Sequence, residues 1–178
     1  MGLIKKARSI LFLLALLTIF NVQSQEVVSW KPDFRFTWND FKGDAPITSR
    51  AAATTASGIT YRFSTFYENN ELQVDYKVFA YFYPTKSWYK PKLCNDVTLL
   101  HEQLHFDITE LYARKLRKQL SETKFTKNVK VEIRKIYKAT IRQLNDFQNK
   151  YDSETNYSRN LVVQERWVKE IAETLSEH

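Results

Sequence analysis

The spacing of apolar residues changes once along the chain, and this change limits the fold more than any other feature of the sequence. Between Trp30 and Tyr83, apolar residues alternate with polar ones or form runs rich in β-branched and aromatic side chains, which is typical of strands. From Asn95 onward they recur at intervals of three and four, which is typical of amphipathic helices. The sequence therefore predicts an α+β fold, with an N-terminal antiparallel β-hairpin or sheet followed by three helices.

Three stretches of the N-terminal half have the pattern of strands. In Phe34–Trp38 (FRFTW) aromatic and polar residues alternate with a period of two. Gly58–Tyr67 and Leu72–Tyr83 are rich in β-branched and aromatic residues, and the intervening ENN has the composition of a turn. We expect these two stretches to form a β-hairpin with its tip near Asn69-Asn70.

Three helices are predicted in the C-terminal half. The first begins after a helix-capping residue, Asn95 or Asp96, and the second extends from about Val129 to Tyr151. The third extends from about Arg159 to Leu175. The first helix has one apolar stripe, formed by Val97, Leu100, Leu104, Ile108 and Leu111.

The N-terminus has the pattern of a secretory signal peptide. Three basic residues precede a predominantly apolar run, Ile10–Phe20, which is shorter than the about 20 residues that a membrane-spanning helix needs. Small residues suited to signal peptidase predict cleavage near Ser24–Gln25. We expect residues 1–24 to be removed and residues 25–178 to form one exported domain, periplasmic or secreted, with no integral membrane segment. An uncleaved anchor is the alternative.

Charge weakens one class of function, nucleic-acid binding, and the cysteine content limits how the domain can be stabilised. The net charge of +7 falls to +4 when the three basic residues of the signal peptide are removed. The remaining basic residues mix with acidic ones at helical spacing, so we expect solvated helix faces and no nucleic-acid partner. Cys94 is the only cysteine, so packing rather than an internal disulfide must stabilise the domain.

The first predicted helix contains the motif His-Glu-x-x-His, formed by His101, Glu102 and His105. Each helical residue advances about 100°, so the two histidines lie about 40° apart and can reach one metal ion from the same side. Glu102 lies beside them, about 60° from His105, where it could accept a proton from a water molecule activated by zinc. This arrangement is the physical basis of zinc-dependent hydrolysis by such motifs. The alternative is a chance pair of histidines on a helix.

A catalytic zinc ion needs a third protein ligand. Asp107 and Glu110 follow on the same helix, but they project about 160° and 140° away from His105. The best candidates are Asp152 and Glu154, in a polar segment at the end of the second helix. Tyr157 in the same segment could be a weak ligand or a phenol that stabilises an oxyanion. The alternative for this segment is an ordinary capping turn.

Several separated motifs together resemble one family, the bacterial secreted proteins with domain of unknown function 922, which are predicted zinc-dependent proteases. These motifs follow one another in order along nearly the whole chain after the signal peptide. They are WNDFKGDAP (Trp38–Pro46), SGITY (Ser57–Tyr61), KSWYKP (Lys86–Pro91), HEQLHFDITELYARKLRK (His101–Lys118), YDSETN (Tyr151–Asn156) and QERW (Gln164–Trp167). The helical motif is the most specific of them.

The resemblance implies a zincin-like metallopeptidase domain in which His101, Glu102 and His105 form the metal centre. The chain departs from the family pattern at Leu104, where members often have glycine. It departs again at Tyr157-Ser158, where members often have histidine and glycine after Thr-x. If that histidine is a ligand in relatives, this chain has either lost the ligand or replaced it with Tyr157 or Asp152.

Our leading hypothesis is an exported zinc hydrolase, with peptide-bond cleavage in a peptide or protein substrate as the favoured reaction. Zn²⁺ is bound by His101, His105 and Asp152, Glu102 is the general base, and Tyr157 assists catalysis. We further expect the strand at Tyr76–Tyr83 to pair with an extended substrate. Two alternatives are open: a non-catalytic zincin-like envelope protein that acts as a binding or scaffolding module, and a structural helix–sheet domain without metal.

Overall fold

A computed structural model describes residues 26–177 of the chain. The expected signal peptide, residues 1–24, lies outside this range. The described part is an α+β structure in which a sheet region precedes three helices, as the change of period predicts. No helix within these residues combines the length and the apolar character that a membrane span requires.

A long antiparallel hairpin dominates the sheet region. Its strands are β3 (Ser57–Glu68) and β4 (Glu71–Phe82), with β1 (Val28–Ser29) added at the far end of β4. The predicted tip is confirmed, because Asn69 and Asn70 form the turn with φ angles of 51° and 62°. Positive φ at both central positions fits the right-handed twist of a two-residue hairpin, and asparagine tolerates this region better than most residues.

A second, smaller sheet joins β2 (Ala53–Thr54) to β5 (Trp88–Tyr89) in antiparallel register. The helices are α1 (Asp96–Glu122), α2 (Val129–Glu154) and α3 (Leu161–Ser176). The predicted capping residue of the first helix is correct, because Asn95 Oδ1 accepts a hydrogen bond from the backbone N–H of Thr98 at 3.0 Å. The second helix is one turn longer than predicted.

Helix α1 lies at the centre of the fold, against β3 and β4 on one side and against α2 and α3 on the other. Its apolar residues join a cluster of aromatic rings beneath the sheet, in which Phe106 stacks on Phe36 at 5.6 Å between ring centroids. Both rings are almost completely buried. Several polar side chains of α1, including His101 and Glu102, are also buried, whereas Glu122 at its C-terminal end is exposed.

The predicted strand Phe34–Trp38 is wrong as a strand, although its alternation describes burial correctly. Phe36 points into the core while Arg35 and Thr37 are exposed. The backbone N–H of Phe36 donates to the Gln103 side chain at 2.8 Å, so this extended segment is held by a helix rather than by a strand ladder.

Candidate metal centre

Two imidazoles of α1 and one carboxylate of α2 converge on a single point. His101 and His105 are one helical turn apart, and the Nε2 atom of each lies 3.0 Å from Oδ1 of Asp152. The side chains are 5%, 12% and 27% exposed respectively, so water competes little with these contacts. Asp152 belongs to the last turn of α2 and not to the following loop, which fixes its carboxylate relative to the helix axis.

The outer nitrogens of both imidazoles also have partners. Nδ1 of His101 lies 3.0 Å from Oε1 of Gln164 on α3, and Nδ1 of His105 lies 3.3 Å from Oε1 of Gln148 on α2. The hydroxyl of Tyr151 donates to the same Gln164 oxygen at 2.9 Å, and its ring stacks on His101 at 4.5 Å between centroids. Burial raises the pKa of the Tyr151 phenol well above its ordinary value, so this group remains a donor.

The spacing of the converging atoms is compatible with one bound metal ion. Ligand atoms about 2.1 Å from a tetrahedral zinc ion stand about 3.4 Å apart, which is close to the 3.0 Å between each Nε2 and Oδ1. Two histidines and a carboxylate are a ligand set of catalytic zinc, which keeps a further position open. His101, His105 and Asp152 are therefore three residues that could hold a metal ion.

The charges around the cluster favour a cation at this point. Burial opposes protonation of His105, but its hydrogen bond to Asp152 and the negative charges of Glu102 and Asp152 raise its pKa above the ordinary value. Burial also opposes ionisation of Asp152, yet its hydrogen bonds to the two histidines and their positive charge hold its pKa well below the ordinary range. Positive charge between these side chains is thus stabilised.

Glu102 is buried beside the cluster and is the least satisfied group in it. Its side chain lines the same cavity as the two histidines and Asp152, and only 5% of the residue is exposed. Its Oε2 atom has no hydrogen-bond partner within residues 26–177. An ionised carboxylate without a donor is costly to bury, so this oxygen is suited to accept a proton or to face a cation.

Tyr157 lies on the wall of the cavity, but its side chain forms no hydrogen bond with any of the three converging residues. The residue is 63% exposed. It is the middle one of three consecutive non-glycine residues with positive φ: Asn156, Tyr157 and Ser158, at 47°, 52° and 71°. Such backbone is strained and clusters at functional sites in proteins. The Tyr157 N–H donates to the carbonyl of Asp152 at 2.9 Å, which ties this segment to the third residue of the cluster.

The other acidic candidates have structural partners. Glu154 accepts hydrogen bonds from Arg166 at 2.8 Å and from the Trp167 indole at 2.9 Å, and so links α2 to α3. Glu110 is paired with two arginines, and Asp107 accepts from the Trp30 indole at 2.8 Å. None of the three carboxylates belongs to the cluster.

A cavity of about 760 Å³ opens above the cluster. Residues 50–55, which contain β2, form one of its walls, and residues 157–159 form another. The predicted substrate strand Tyr76–Tyr83 is therefore wrong. It lies mostly within β4, between β3 and β1, and its Val78 carbonyl accepts two hydrogen bonds from Arg117.

The backbone of β2 has an open edge. Lys90 N donates to the Ala52 carbonyl at 2.8 Å, so Ala52 and Lys90 form a bonded pair of the ladder. Bonded and non-bonded pairs alternate in antiparallel sheets, so the N–H and C=O of Ala53 point away from β5. No other hydrogen-bond partner for these two groups exists within residues 26–177. Ala53 lines the cavity, and 8% of the residue is exposed.

Sequence reasoning missed the supporting residues of the centre. Gln148 precedes Asp152 by four positions and shares its face because α2 extends through both residues, whereas the predicted helix ended at about Tyr151. Gln164 lies within one of the motifs that carry the family resemblance, but nothing in the spacing indicates its contact with His101, 63 positions earlier.

Fold and site together define an α+β protein with a histidine–histidine–aspartate cluster beside a buried glutamate, at the base of a cavity. Residues 92–159 match the family model described as a bacterial protein of unknown function, DUF922. The matched range contains all three converging residues and Glu102, and it supports the family resemblance for this part of the chain. The description assigns no activity. The searches of curated proteins and of solved structures gave no match.

Proposed function

We propose that the protein is a zinc-dependent hydrolase of the zincin-like type that cleaves peptide bonds. The observation that carries the proposal is the convergence of His101, His105 and Asp152 beside the buried carboxylate of Glu102, which has an oxygen without a partner. Structural metal sites are normally closed by four protein ligands. Three ligands at the base of an accessible cavity instead resemble the catalytic arrangement.

Two histidines one helical turn apart, with a glutamate directly after the first, favour zinc, while two imidazoles and one carboxylate are also a ligand set of iron(II). Bound there, zinc would act as a Lewis acid and lower the pKa of a coordinated water molecule towards about 7. The chain's own residues supply the remaining functions. The free oxygen of Glu102 accepts the proton from the attacking water, and the Tyr157 phenol donates a hydrogen bond to the oxyanion that forms.

The open edge of β2 favours a peptide among hydrolysable substrates. An extended segment that pairs with Ala53 would form main-chain hydrogen bonds along the cavity wall, which is a common mode of peptide recognition. The Thr55 hydroxyl donates to the backbone carbonyl of Glu102 at 3.2 Å, so this wall and the proposed base are directly linked. A peptide on the edge would thereby lie beside the reacting groups.

The test replaces Glu102 by Gln, which keeps the shape of the side chain and removes the base. We expect Glu102→Gln to retain about one zinc ion per chain and to lose at least about 100-fold in turnover of an unfolded protein substrate. Glu122→Gln is the matched control, because Glu122 is an exposed carboxylate at the end of the same helix. Turnover in Glu102→Gln equal to that of the control would refute the mechanism.

A second candidate function is a non-catalytic binding module with the same metal centre. It is favoured by the exposure of Tyr157, which stands where family members often have histidine. Zinc binding and peptide binding without cleavage of any unfolded protein or cell-wall peptide would support it.

For either function we propose an exported protein, from the pattern of residues 1–24. N-terminal sequencing of the protein recovered outside the cytoplasm should begin at Gln25. A chain that keeps Met1 and remains in the cytoplasm would contradict export.

A further inference from the structure

The side chain of Gln148 has only one orientation that satisfies its neighbours. Its Nε2 donates to the backbone carbonyl of His105 at 3.3 Å and to the hydroxyl of Thr109 at 3.2 Å. A carbonyl can only accept, so the amide nitrogen must face it and Oε1 must face the imidazole. Oε1 can only accept as well. Nδ1 of His105 therefore carries the hydrogen in this contact.

Gln164, on α3, contacts the imidazole of His101 through its side-chain oxygen. The residue is 2% exposed, and its Oε1 accepts from Tyr151 while it lies 3.0 Å from Nδ1 of His101. Its Nε2 has no partner within the described residues. Two buried side-chain atoms in residues 26–177 have no hydrogen-bond partner, namely Nε2 of Gln164 and Oε2 of Glu102. Both belong to residues beside His101.

We propose that Gln148 and Gln164 are positioning residues for the metal centre. Their side-chain oxygens keep a hydrogen on each Nδ1, so that the lone pair of each Nε2 is directed at the point where Asp152 also converges. This inference rests on the proposed metal site, and it extends that site to α3, beyond the range matched by the family model. Supporting groups of this kind orient metal-binding histidines and raise their basicity.

The test measures zinc affinity in the purified protein after Gln164→Leu and Gln148→Leu, with Gln143→Leu as control. Gln143 lies on α2 and is exposed, so its replacement makes the same chemical change away from the centre. Each of the first two variants should weaken zinc binding by about 10- to 100-fold, and the control should not change it. Gln164→Glu should restore affinity, because the replaced Nε2 has no partner to lose and the carboxylate still accepts.

Long-range ¹H–¹⁵N spectra of the zinc-loaded parent protein give a second measurement that does not depend on any variant. A hydrogen on Nδ1 and metal coordination through Nε2 in both histidines are expected. Coordination through Nδ1, or zinc affinity in both leucine variants within twofold of the control, would overturn the positioning role. A parent protein that binds no zinc would overturn the metal centre itself.

A separate observation concerns the charges of the cavity. Its charged lining residues, apart from the histidines, are Glu102, Asp152, Arg50 and Arg159. A divalent cation would balance the two carboxylates, which leaves the two arginines uncompensated. Arg50 lies in the wall that contains β2, and Arg159 lies in the segment between α2 and α3. Neither arginine has a carboxylate within salt-bridge distance among residues 26–177.

We infer that the cavity selects a peptide with acidic side chains near the bound segment. Unpaired guanidinium groups in a cavity attract carboxylates and can bind them through two hydrogen bonds. The inference deepens the proposed function, because it names the substrate class of the same site. It requires peptide binding but not cleavage.

The test uses the zinc-loaded Glu102→Gln variant, so that binding is read without hydrolysis. Fluorescent peptides that contain glutamate are compared with peptides that contain glutamine at the same positions, by anisotropy at low ionic strength. The glutamate peptide should bind about fivefold to tenfold more tightly, and added salt should reduce the difference. Arg50→Ala with Arg159→Ala should abolish this preference.

The matched control is Arg62→Ala with Arg142→Ala, which removes the same charge from exposed positions outside the cavity. It should keep the preference. Equal binding of the two peptides, or loss of the preference in the control, would overturn the inference. If the parent enzyme cleaves no peptide while the preference persists, hydrolysis fails and the acidic-peptide site stands.

Discussion

Replacement of Asp152 by Asn tests whether metal binding connects α1 to α2. The change keeps the size of the side chain and removes the charge that faces both Nε2 atoms at 3.0 Å. If zinc binds only the folded protein, at 100 times its dissociation constant it should stabilise that state by about 2.7 kcal/mol. For a domain of this size, each kcal/mol raises Tm by about 2–4 °C. The parent protein should therefore gain about 5–11 °C on addition of zinc.

The variant should lose most of this gain. Removal of one of three ligands should weaken zinc binding by at least about 100-fold, since changes in supporting residues alone cost 10- to 100-fold. The same zinc concentration then equals about one dissociation constant, and the stabilisation falls to about 0.4 kcal/mol. The expected rise in Tm is about 1–2 °C. Each protein is compared with itself, so a lower Tm of the metal-free variant does not affect the result.

Scanning calorimetry of metal-free protein with and without zinc measures both shifts. Glu154→Gln is the control, because this carboxylate lies on the same helical turn but binds Arg166 and Trp167 instead. It should lower the Tm of the metal-free protein and keep the full zinc-dependent gain. The reasoning is refuted if Asp152→Asn gains as much as the parent, or if Glu154→Gln loses its gain.

Three further outcomes follow from the structure. Glu110→Ala should lower the free energy of unfolding in urea by about 3 kcal/mol, because the substitution leaves Arg114 and Arg117 without a buried partner. It should leave the zinc content unchanged. Phe106→Ala should lower the free energy of unfolding, measured in the same way, by about 3–5 kcal/mol, since the ring is fully buried among other aromatic rings. Zinc affinity measured by titration should fall as pH decreases, because protons compete for the imidazoles. The raised pKa of His105 makes this loss begin at a higher pH than for an isolated imidazole, so constant affinity down to pH of about 5.5 would contradict the site.

The hairpin and the helices could be predicted because their causes are local. The alternation in Gly58–Tyr67 and Leu72–Tyr83 and the asparagines between them determine the register and the turn. Helix capping by Asn95 likewise depends on only four consecutive residues. Phe34–Trp38 differs, because its backbone partner is the side chain of Gln103, 67 positions from Phe36. No local pattern contains that information.

Part of the candidate site could likewise be predicted from local sequence, and part depends on distant residues. The two histidines share a helical turn, so their common direction follows from helix geometry alone. The polar segment at the end of the second helix offers two carboxylates, Asp152 and Glu154, and what distinguishes them is that α3 supplies Arg166 and Trp167 as partners of Glu154. The wall at residues 50–55 depends on the pairing of two very short strands, for which periodicity carries almost no information.

Glu102 differs from the other buried polar side chains of α1 in its hydrogen bonding. An amphipathic pattern predicts a polar face in solvent, but neighbouring elements bury part of the polar face of α1, including Glu102, Gln103 and Glu110. Gln103 and Asp107 accept hydrogen bonds from the N-terminal segment, and Glu110 pairs with arginines, so each is satisfied within the fold. Glu102 is buried to the same degree and keeps an oxygen without a donor. The fold satisfies the other two carboxylates and leaves this oxygen without a donor at the base of a cavity, and the proposed role of Glu102 as a base rests on this difference.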